Sequence, residues 1–594
     1  MRRRQDENIY QYYNDYVKRF LLDGHSYLTN HDDILSDTTI NNCFNRYVVN
    51  FIEGSDISFG GKIKKQFADA DLLTRLVFAH AEWLWAFAVR DISIATKRDI
   101  TKRTTGLDDP ELNDVYPEGF GNAGMYHKNN KYWEIRFILL VIRFIRSKVV
   151  DSEITSASDV IEWVEKICLY MKYRQEFENF ALPQPFIDDL PDRSLAVCNI
   201  ITYISYPERY ERIASDTHKS RIVDSFSGLL SPEEKANEEL NIDDKILLIR
   251  TELTHLLQKP DFDFYEGQLT QIWNYSLHQG GFSEIQGLQY KKGLILYGPP
   301  GTSKTFSAKR LARALITKTY FKDSDNVARF LRKEVDPVQG RIHHLQLHPN
   351  YTYEDFVAGV QLRNHTTVPT KGVFFKICEA AGKDKGINKN DDMPHVLILD
   401  EVNRVDLSRL FGELFSTLEN REEPIRLGLG DLTLTIPRNL YIIGTMNEID
   451  FSLERIDFAL RRRFLWFFYG FEAEVLREII DSKNESLKTR LKQEEIDDFI
   501  QYAKALNEAI SSMPEFGKQY QIGHTFFGEI VDIYKSYIDV RGSRPQKQLY
   551  RNDYGPAEIL WDISLEPMIT AFLGNLDSNT RAEKIAKLRS EYGL

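Results

Sequence analysis

Hydrophobic and polar residues follow two different patterns along the chain of 594 residues. Over about the first 225 residues, apolar and aromatic side chains recur at helical spacing, as in 159–173, which predicts amphipathic helices. The two most apolar stretches, 76–89 and 132–150, both contain charged residues, whereas a membrane span needs about 20 mostly apolar residues. We therefore predict buried helices at both places and a soluble protein without a membrane partner.

From about residue 286 the pattern changes to short apolar runs separated by helical patterns. The runs 293–297, 396–399 and 440–444 predict buried strands. Strands that alternate with helices are typical of an α/β fold in which helices sandwich a parallel sheet. After residue 471 the helical pattern returns and continues to the end of the chain.

These changes of pattern predict four segments. We expect a mainly α-helical N-terminal recognition or interaction region at 1–226, a linker with connecting helices at 227–285, an α/β core at 286–471 and a helical region at 472–594. The linker begins with a charged stretch in which Ser231, Pro232 and Glu233 have the residue types of a helix start.

Composition narrows the class of protein. Lys and Arg number 76 against 88 Asp and Glu, a net charge of −12, which excludes a basic protein that coats DNA but not a local basic channel. No apolar leader follows Met1, so we expect no secretory signal. The 4 cysteines lie far apart and form no C-x-x-C pair, which argues against a disulfide framework or zinc finger and favours the cytoplasm.

A glycine-rich loop follows the first predicted strand and precedes a helical pattern. Its residues are Gly298, Pro299, Pro300, Gly301, Thr302, Ser303, Lys304 and Thr305. This strand–loop–helix context is that of a Walker A loop, whose backbone N–H groups surround the phosphates of a nucleotide. We expect Lys304 to contact the β- and γ-phosphates and Thr305 to bind magnesium.

Ser303 stands where such loops usually have a glycine. If the backbone there is left-handed, a serine costs about 1–2 kcal/mol. Because Lys304 and Thr305 are both present, we expect the loop to retain its function.

The next two predicted strands end in polar residues. The run 396–399 leads into Asp400 and Glu401, the form of a Walker B strand. Asp400 is expected to bind the nucleotide's magnesium, and Glu401 to orient or deprotonate the attacking water. The strand at 440–444 leads to Asn447, which we expect to hold the same water or the γ-phosphate.

Three consecutive arginines follow this third strand, namely Arg461, Arg462 and Arg463. An isolated triplet of this kind is usually solvated or binds DNA. Downstream of a nucleotide site we favour one or more arginines that reach the γ-phosphate of a neighbouring subunit. An arginine that acts in this way implies a ring of subunits.

On these motifs, residues 286–574 resemble the AAA+ superfamily and, within its MoxR/McrB clade, the McrB-like branch, the motor subunits of McrBC-type modification-dependent restriction systems. Further segments that carry the resemblance are 348–356, 400–404, 520–527 and 560–567. The resemblance implies a P-loop AAA+ core, a C-terminal helical lid at 472–594 and a homo-oligomeric ring, expected to be a hexamer. It also implies Mg²⁺ as cofactor, an McrC-like nuclease subunit as partner, and DNA.

One segment departs from the McrB-like pattern Met-Asn-Thr-x-Asp-Arg, which is tied to GTP hydrolysis in that family. Asn447 and Asp450 match the pattern, whereas Glu448 and Phe451 replace its threonine and arginine. We therefore favour ATP as the nucleotide, with GTP as the alternative.

Two other regions contain polar residues of interest. In the N-terminal region we expect structural roles for His25, His31 and His127, and an ordinary solvated loop around Lys97, Arg98, Lys102 and Arg103. The stretch 359–372 predicts a hairpin, followed by a polar stretch at 382–393. Arg363 and Lys371 of this insertion either grip a substrate strand in the ring channel or lie on a flexible surface excursion.

Three functions remain open at this point. The leading hypothesis is the NTP-driven motor of an McrBC-like restriction or anti-phage defence complex, in which hydrolysis drives DNA translocation or activates a nuclease partner. The second is a MoxR-like chaperone that remodels a protein client. The third is a nucleotide-gated scaffold with little turnover, against which the presence of Glu401 argues.

Overall fold

In the computed structural model, the chain divides into two compact units, Met1–Asn274 and Tyr275–Leu594. The boundary falls inside the predicted linker at 227–285, and the division into four segments stays a prediction. The structure describes residues 7–52, 59–90, 92–121, 124–174, 182–274, 284–363, 365–384, 392–428, 432–449, 458–514, 516–542 and 547–594.

Helices form the described part of the first unit, as the sequence pattern predicts. They are α1 Glu7–Tyr16, α2 Asp37–Phe44, α3 Phe59–Gln66, α4 Leu72–Ala86, α5 Ile94–Thr105, α6 Gly124–Asn129, α7 Lys131–Val150, α8 Ala157–Tyr173, α9 Gln184–Asp189, α10 Ala196–Ser205, α11 Asp216–Ser225, α12 Pro232–Ala236, α13 Ile242–Leu257 and α14 Gly267–Trp273. Val17–Leu22 and Asn45–Val49 are π-helical, and Asp109–Glu111 and Ser227–Leu229 are 3₁₀ turns. At α12 the Ser231 side chain accepts from the N–H of Glu234, so the predicted helix start is confirmed.

The two most apolar stretches are buried helices, as predicted, and correspond to α4 and α7. Charged residues within them have polar partners: Glu82 of α4 accepts from Thr104 Oγ1 at 2.5 Å and from Lys131 Nζ at 3.1 Å. Among the described residues, every helix is too short or too polar to cross a bilayer.

The basic group near residue 100 differs from the prediction of a solvated loop. Its residues lie on α5, and Lys97 is only 3% exposed. The Lys97 ammonium donates to the carbonyl oxygens of Phe87 at 2.7 Å and Pro117 at 2.9 Å. Arg98 and Lys102 pair with Asp109. Lys97, Arg98 and Lys102 therefore make contacts within the unit, and the sequence does not reveal them because they depend on how the segments before and after α5 fold around it.

A parallel five-stranded sheet forms the centre of the second unit, in the order β2–β5–β8–β1–β9. The strands of the unit are β1 Gly293–Gly298, β2 Ile342–Gln346, β3 Ala358–Arg363, β4 Thr366–Lys371, β5 His395–Asp400, β6 Ile425–Arg426, β7 Thr433–Leu434, β8 Leu440–Asn447 and β9 Leu465–Phe468. The three predicted strands are β1, β5 and β8, the inner strands of this sheet, and their apolar side chains are buried as expected of a sheet covered on both faces. The hairpin predicted at 359–372 is confirmed as β3 and β4.

Helices of the second unit flank the sheet and continue beyond it into a helical lid with its own apolar core. They are α15 Glu284–Lys291, α16 Lys304–Tyr320, α17 Ser324–Leu331, α18 Tyr353–Phe356, α19 Val373–Lys383, α20 Leu407–Phe411, α21 Leu414–Thr417, α22 Phe458–Arg463, α23 Ala473–Ser486, α24 Gln493–Ser512, α25 His524–Phe527, α26 Ile530–Arg541, α27 Pro556–Leu560, α28 Glu566–Phe572 and α29 Ser578–Glu591. Val402–Arg404 and Lys518–Tyr520 are 3₁₀ turns, and Trp561–Leu565 is π-helical.

Candidate active site

The carboxyl ends of three adjacent strands bring the predicted site residues together. β8 pairs with β1 on one side, so that Asn447 lies opposite Gly298, and with β5 on the other, so that Gly444 lies opposite Leu399. Asp400 and Glu401 therefore end one strand beside Asn447, and the glycine-rich loop leaves the strand on the other side.

The backbone of the glycine-rich loop turns through three residues with positive φ. These are Gly298 at +144°, Gly301 at +73° and Ser303 at +59°. A Cβ on Gly298 would lie 2.3 Å from the carbonyl oxygen of Tyr469, so only glycine fits there. Ser303 is in the left-handed conformation with ψ of +23°, and α16 begins directly after it. The steric cost that we predict from the sequence for a left-handed serine therefore applies to Ser303.

Lys304 points back into its own loop. Its ammonium donates to the carbonyl oxygens of Pro299 at 2.5 Å and Gly298 at 3.2 Å, and to Thr302 Oγ1 at 3.3 Å. The residue is 6% exposed. Burial lowers the pKa of Lys304 to about 8, although the nearby carboxylates of Asp400 and Glu448 oppose this shift.

Asp400 joins the loop to the strand ends. Its Oδ1 accepts from Thr305 Oγ1 at 2.8 Å and from the hydroxyl of Thr445 on β8. The same Thr445 hydroxyl accepts from the N–H of Glu401 at 3.3 Å, and Nε2 of His344 lies 3.5 Å from the other oxygen of Asp400. Sequence reasoning missed Thr445 and His344, because both lie on strands whose neighbours only the sheet order reveals.

Glu401 directly follows β5, and its backbone is left-handed with φ of +58°. Its carboxylate contacts two other side chains. Two nitrogens of the Arg404 guanidinium contact the carboxylate: Nη2 lies 3.0 Å from Oε1, and Nε lies 2.8 Å from Oε2. Gln346, the last residue of β2, donates to Oε2 at 3.2 Å. Neither partner was predicted, and Gln346 is far away in the sequence.

The segment after β8 approaches the start of the glycine-rich loop. The carbonyl oxygen of Asn447 accepts from Asn403 Nδ2 at 2.9 Å, and the N–H of Glu448 donates to the Gly298 carbonyl at 3.3 Å. Partial burial raises the pKa of Glu448, and the charges of Lys304 and Arg461 act in the opposite direction. A carboxylate thus lies near the loop's lysine. Asp450 and Phe451, the other positions of this motif, lie outside the described residues.

The three arginines occupy different environments at the end of α22. Arg463 packs over the ring of Phe415 at 4.3 Å, and its side chain is 7% exposed. Arg462 is 66% exposed, with Nε 3.5 Å from Glu419 Oε1. Arg461 lies over Trp466 at 5.5 Å. The three neighbouring arginines therefore differ in their burial in the folded unit, and the sequence of the triplet does not reveal this difference.

The lid contacts the glycine-rich loop from the other side. The N–H and the hydroxyl of Thr525 both donate to the Gly301 carbonyl, at 3.1 and 2.9 Å. Nε2 of His524 lies 3.0 Å from Ser303 Oγ. Burial lowers the pKa of His524 to about 4, so its imidazole is neutral at pH 7. The segment 520–527 carries part of the resemblance seen in the sequence, but no role in the site was predicted for it.

The carboxylate of Asp400 and the hydroxyl of Thr305 place two oxygen ligands side by side at the end of the loop. Among the described residues, the structure has no group of three or more His, Cys, Asp or Glu arranged to hold a metal ion by themselves. A magnesium ion that binds together with phosphates needs only one or two protein ligands, and this pair fits that demand.

Comparison with known proteins agrees with this geometry. Residues 293–464 match the AAA domain of the dynein-related subfamily. The McrB subunit of the type IV methyl-directed restriction enzyme EcoKMcrB of Escherichia coli K12 is 30% identical over 253 residues, which cover 41% of this chain and 49% of that one. The YdiS component of the type II restriction enzyme BsuMI of Bacillus subtilis 168 is 30% identical over 116 residues, 17% of this chain and 33% of that one.

Each match therefore spans less than half the length of these relatives. Among solved structures, a mutant of Thermotoga maritima RuvB overlaps 51% of this chain and 79% of its own, at 13% identity and a TM-score of 0.27, too low to carry an argument. The family match covers the loop, the strands and the arginine triplet of the site described above. Residues 293–464 thus match an AAA domain of the dynein-related subfamily, and the chain is similar, over part of its length, to components of two restriction enzymes.

Proposed function

We propose that this chain is a Mg²⁺-dependent nucleoside triphosphatase that forms a ring and acts as the motor of an McrBC-like restriction complex. The observation that supports it most is the convergence of three groups on adjacent strand ends: a left-handed glycine-rich loop with a buried lysine, the Asp400–Thr305 pair, and Glu401. The similarity to two restriction-enzyme components supports the restriction setting.

Phosphate binding follows from the loop and Lys304. The backbone N–H groups of the loop and the first turn of α16 provide positive potential for an anion. The Lys304 ammonium donates hydrogen bonds to two carbonyls of the loop. A phosphate that enters the loop takes the place of those carbonyls, and a charge-assisted bond to an anion is stronger than one to a neutral oxygen.

The Asp400–Thr305 pair supports magnesium as the companion of the nucleotide. Asp400 and Thr305 would hold the ion, and when bound it neutralises charge on the phosphate oxygens. Thr445 holds the Asp400 carboxylate in place through its hydroxyl. Carboxylate and hydroxyl oxygens are the hard ligands that this ion prefers.

Hydrolysis is assigned to Glu401 and Asn447. Glu401 orients the attacking water and accepts its proton, and Asn447, at the end of the central strand, positions the same water or the γ-phosphate. Arg404 and Gln346 hold the Glu401 carboxylate. Because Arg404 contacts both carboxylate oxygens, Glu401 accepts a hydrogen bond from the attacking water only after the Arg404 contact loosens.

The finer parts of the proposal concern assembly and nucleotide. We favour ATP over GTP, since Glu448 and Phe451 replace the family's threonine and arginine. We assign the contact with a neighbouring subunit's γ-phosphate to Arg462, because its side chain is exposed, whereas Arg463 is buried and the exposed Arg461 lies over the ring of Trp466. DNA and an McrC-like nuclease subunit are proposed as partners from the restriction setting of the relatives.

The first test separates binding from hydrolysis. Lys304→Ala should abolish nucleotide binding, whereas Glu401→Gln should bind as tightly as wild type and lose turnover by about 10²-fold or more, because a general base is removed. Equilibrium binding measures the loss of nucleotide affinity in Lys304→Ala. Turnover of ATP and GTP, with and without DNA, measures the loss of hydrolysis in Glu401→Gln. Glu474→Gln, an exposed carboxylate on α23, is the control. Normal hydrolysis by Lys304→Ala would refute the site assignment.

The second test uses the charge of Lys304. Its pKa of about 8 in the nucleotide-free protein means that the ammonium loses its proton as the pH rises through that value. Phosphate favours the charged form, so binding above pH 8 takes up a proton, and affinity should fall by up to about tenfold per pH unit. The dissociation constant measured between about pH 7 and about pH 9.5 shows this.

Lys304→Arg is the matched control for this pH dependence, because a guanidinium stays charged over the whole range. Its affinity, whatever its absolute value, should not change with pH. A wild-type affinity that is constant across the same range contradicts the proposed contact between Lys304 and phosphate.

The third test concerns Glu448. Its carboxylate lies near Lys304 and opposes a bound polyphosphate, so Glu448→Gln should tighten nucleotide binding by about 3- to 10-fold, since like charges near a protein surface repel by on the order of 1 kcal/mol or more. Isothermal titration at two salt concentrations measures the effect, which should be smaller at high salt. Unchanged or weaker binding would show that Glu448 is turned away from the phosphates.

The fourth test asks which arginine acts in trans. Arg462→Ala should leave nucleotide binding unchanged but lower turnover by about 10³-fold or more, as for arginine fingers elsewhere. Arg463→Ala should instead lower the free energy of unfolding by about 1–3 kcal/mol, because its packing against Phe415 is lost. Mixing Arg462→Ala with Lys304→Ala subunits should restore turnover, since each supplies what the other lacks. Failure of this complementation at concentrations where the chains associate counts against Arg462.

A further inference from the structure

The lid segment formed by Gly523, His524 and Thr525 lies directly on the glycine-rich loop. Thr525 donates twice to the Gly301 carbonyl. A Cβ on Gly523 would lie 2.2 Å from the backbone carbon of Gly301, so the two backbones touch and a side chain has no room there. The lid therefore contacts the backbone that would carry the phosphates.

Ser303 adds a side-chain contact at the same place. Its hydroxyl lies 3.0 Å from Nε2 of His524, which is 3% exposed. Nδ1 of His524 is buried and, among the described residues, has no hydrogen-bond partner. The imidazole therefore makes its side-chain hydrogen bond through Nε2. Loss of that bond while the ring stays buried would leave both ring nitrogens unpaired, which is unfavourable.

The choice of serine at this position is otherwise difficult to explain. The backbone of Ser303 is left-handed, a conformation that glycine adopts freely and serine adopts at a steric cost. A hydroxyl that bonds to the lid offsets this cost, and glycine has no such group. The strain and the contact therefore occur together in one residue.

The lid holds His524 firmly from behind. Asn507 of α24 is 1% exposed, and its side-chain amide pairs with both backbone groups of Ile522. Oδ1 accepts from the Ile522 N–H at 2.7 Å, and Nδ2 donates to the Ile522 carbonyl at 3.1 Å. These two hydrogen bonds fix the backbone two residues before His524. A movement of Ser303 is therefore transmitted through His524 to the lid.

We propose that Ser303 and His524 form a latch between the glycine-rich loop and the lid, and that this latch sets the rate at which bound nucleotide leaves. His524 is a positioning residue that acts through Ser303. The inference rests on the proposed nucleotide site and adds the means by which the lid is held over it. Departure of the nucleotide requires the lid to separate from the loop, and the Ser303–His524 hydrogen bond must then break.

The rate of nucleotide release tests the latch. The full chain is loaded with a fluorescent triphosphate and chased with unlabelled nucleotide. Ser303→Ala and His524→Leu should each accelerate release by about 3- to 10-fold, the range expected for loss of one hydrogen bond. The double variant should release no faster than the faster single variant, and His524→Gln, which keeps a polar atom near the position of Nε2, should restore a slower rate.

Ser303→Gly distinguishes the hydroxyl from the backbone strain. Glycine removes both, whereas alanine removes the hydroxyl and keeps the strain. The latch predicts fast release in both variants. If Ser303→Ala releases nucleotide like wild type and only Ser303→Gly differs, backbone strain alone sets the rate and the latch is refuted. Ser536→Ala, an exposed serine on α26 whose hydroxyl bonds within its own helix, should behave as wild type.

Hydrogen exchange in the nucleotide-free protein gives a second readout. Loss of the latch should speed amide exchange of residues 523–527 while leaving the lid core around Asn507 protected. If wild-type protein binds nucleotide, and nucleotide release and amide exchange are unchanged in every variant, the latch is overturned and the proposed function stays intact. Wild-type protein that binds neither ATP nor GTP overturns both.

Discussion

Asp400 is the residue on which the geometry of the site depends. One of its oxygens accepts the hydroxyl of Thr305 from the glycine-rich loop and the hydroxyl of Thr445 from the central strand. The Thr445 hydroxyl also accepts the N–H of Glu401. The Asp400 side chain is only 14% exposed, and a carboxylate with little access to water needs hydrogen-bond partners, so these bonds fix the loop, the central strand and Glu401 relative to one another. A parallel sheet makes this possible, because it places the ends of neighbouring strands at one edge.

Two charged side chains of the site, those of Lys304 and Glu401, have partners within the protein. Lys304 bonds to the carbonyls of its own loop, and Glu401 pairs with Arg404 and Gln346. In the proposed function, a triphosphate replaces the partners of Lys304, and activation of water requires release of the Glu401 carboxylate. Lys304 lies on α16 and Glu401 follows β5, so binding and hydrolysis are separable events in the proposal. That separation suits the proposed motor, in which the bound state persists until a neighbouring subunit completes the site.

The apolar runs of β1, β5 and β8 are visible in the sequence because these inner strands are buried on both faces. The loop, Asp400 and Glu401 follow directly from them, since chemistry at a strand end is local in sequence. The outer strands were not predicted: β2 contains two histidines and a glutamine, and β9 is short and follows the arginine triplet. Gln346, His344 and Thr445 therefore could not be assigned to the site, because their partners are set by strand order. Burial likewise distinguishes Arg463 from Arg462, and no property of the triplet itself does so.

Two departures from the usual pattern, Ser303 and Glu448, act on opposite ends of the same loop. Glu448 bonds through its backbone to Gly298, where the loop begins, and brings a carboxylate toward Lys304. Ser303 ends the loop and contacts the lid. The carboxylate opposes arrival of a polyanion, and the serine ties down the element that covers it. In the proposed function the two residues therefore act in opposite directions: the carboxylate of Glu448 weakens binding of the polyanion, whereas Ser303 slows its release by holding the lid. Occupancy of the proposed site then depends on the lid as much as on the phosphate loop.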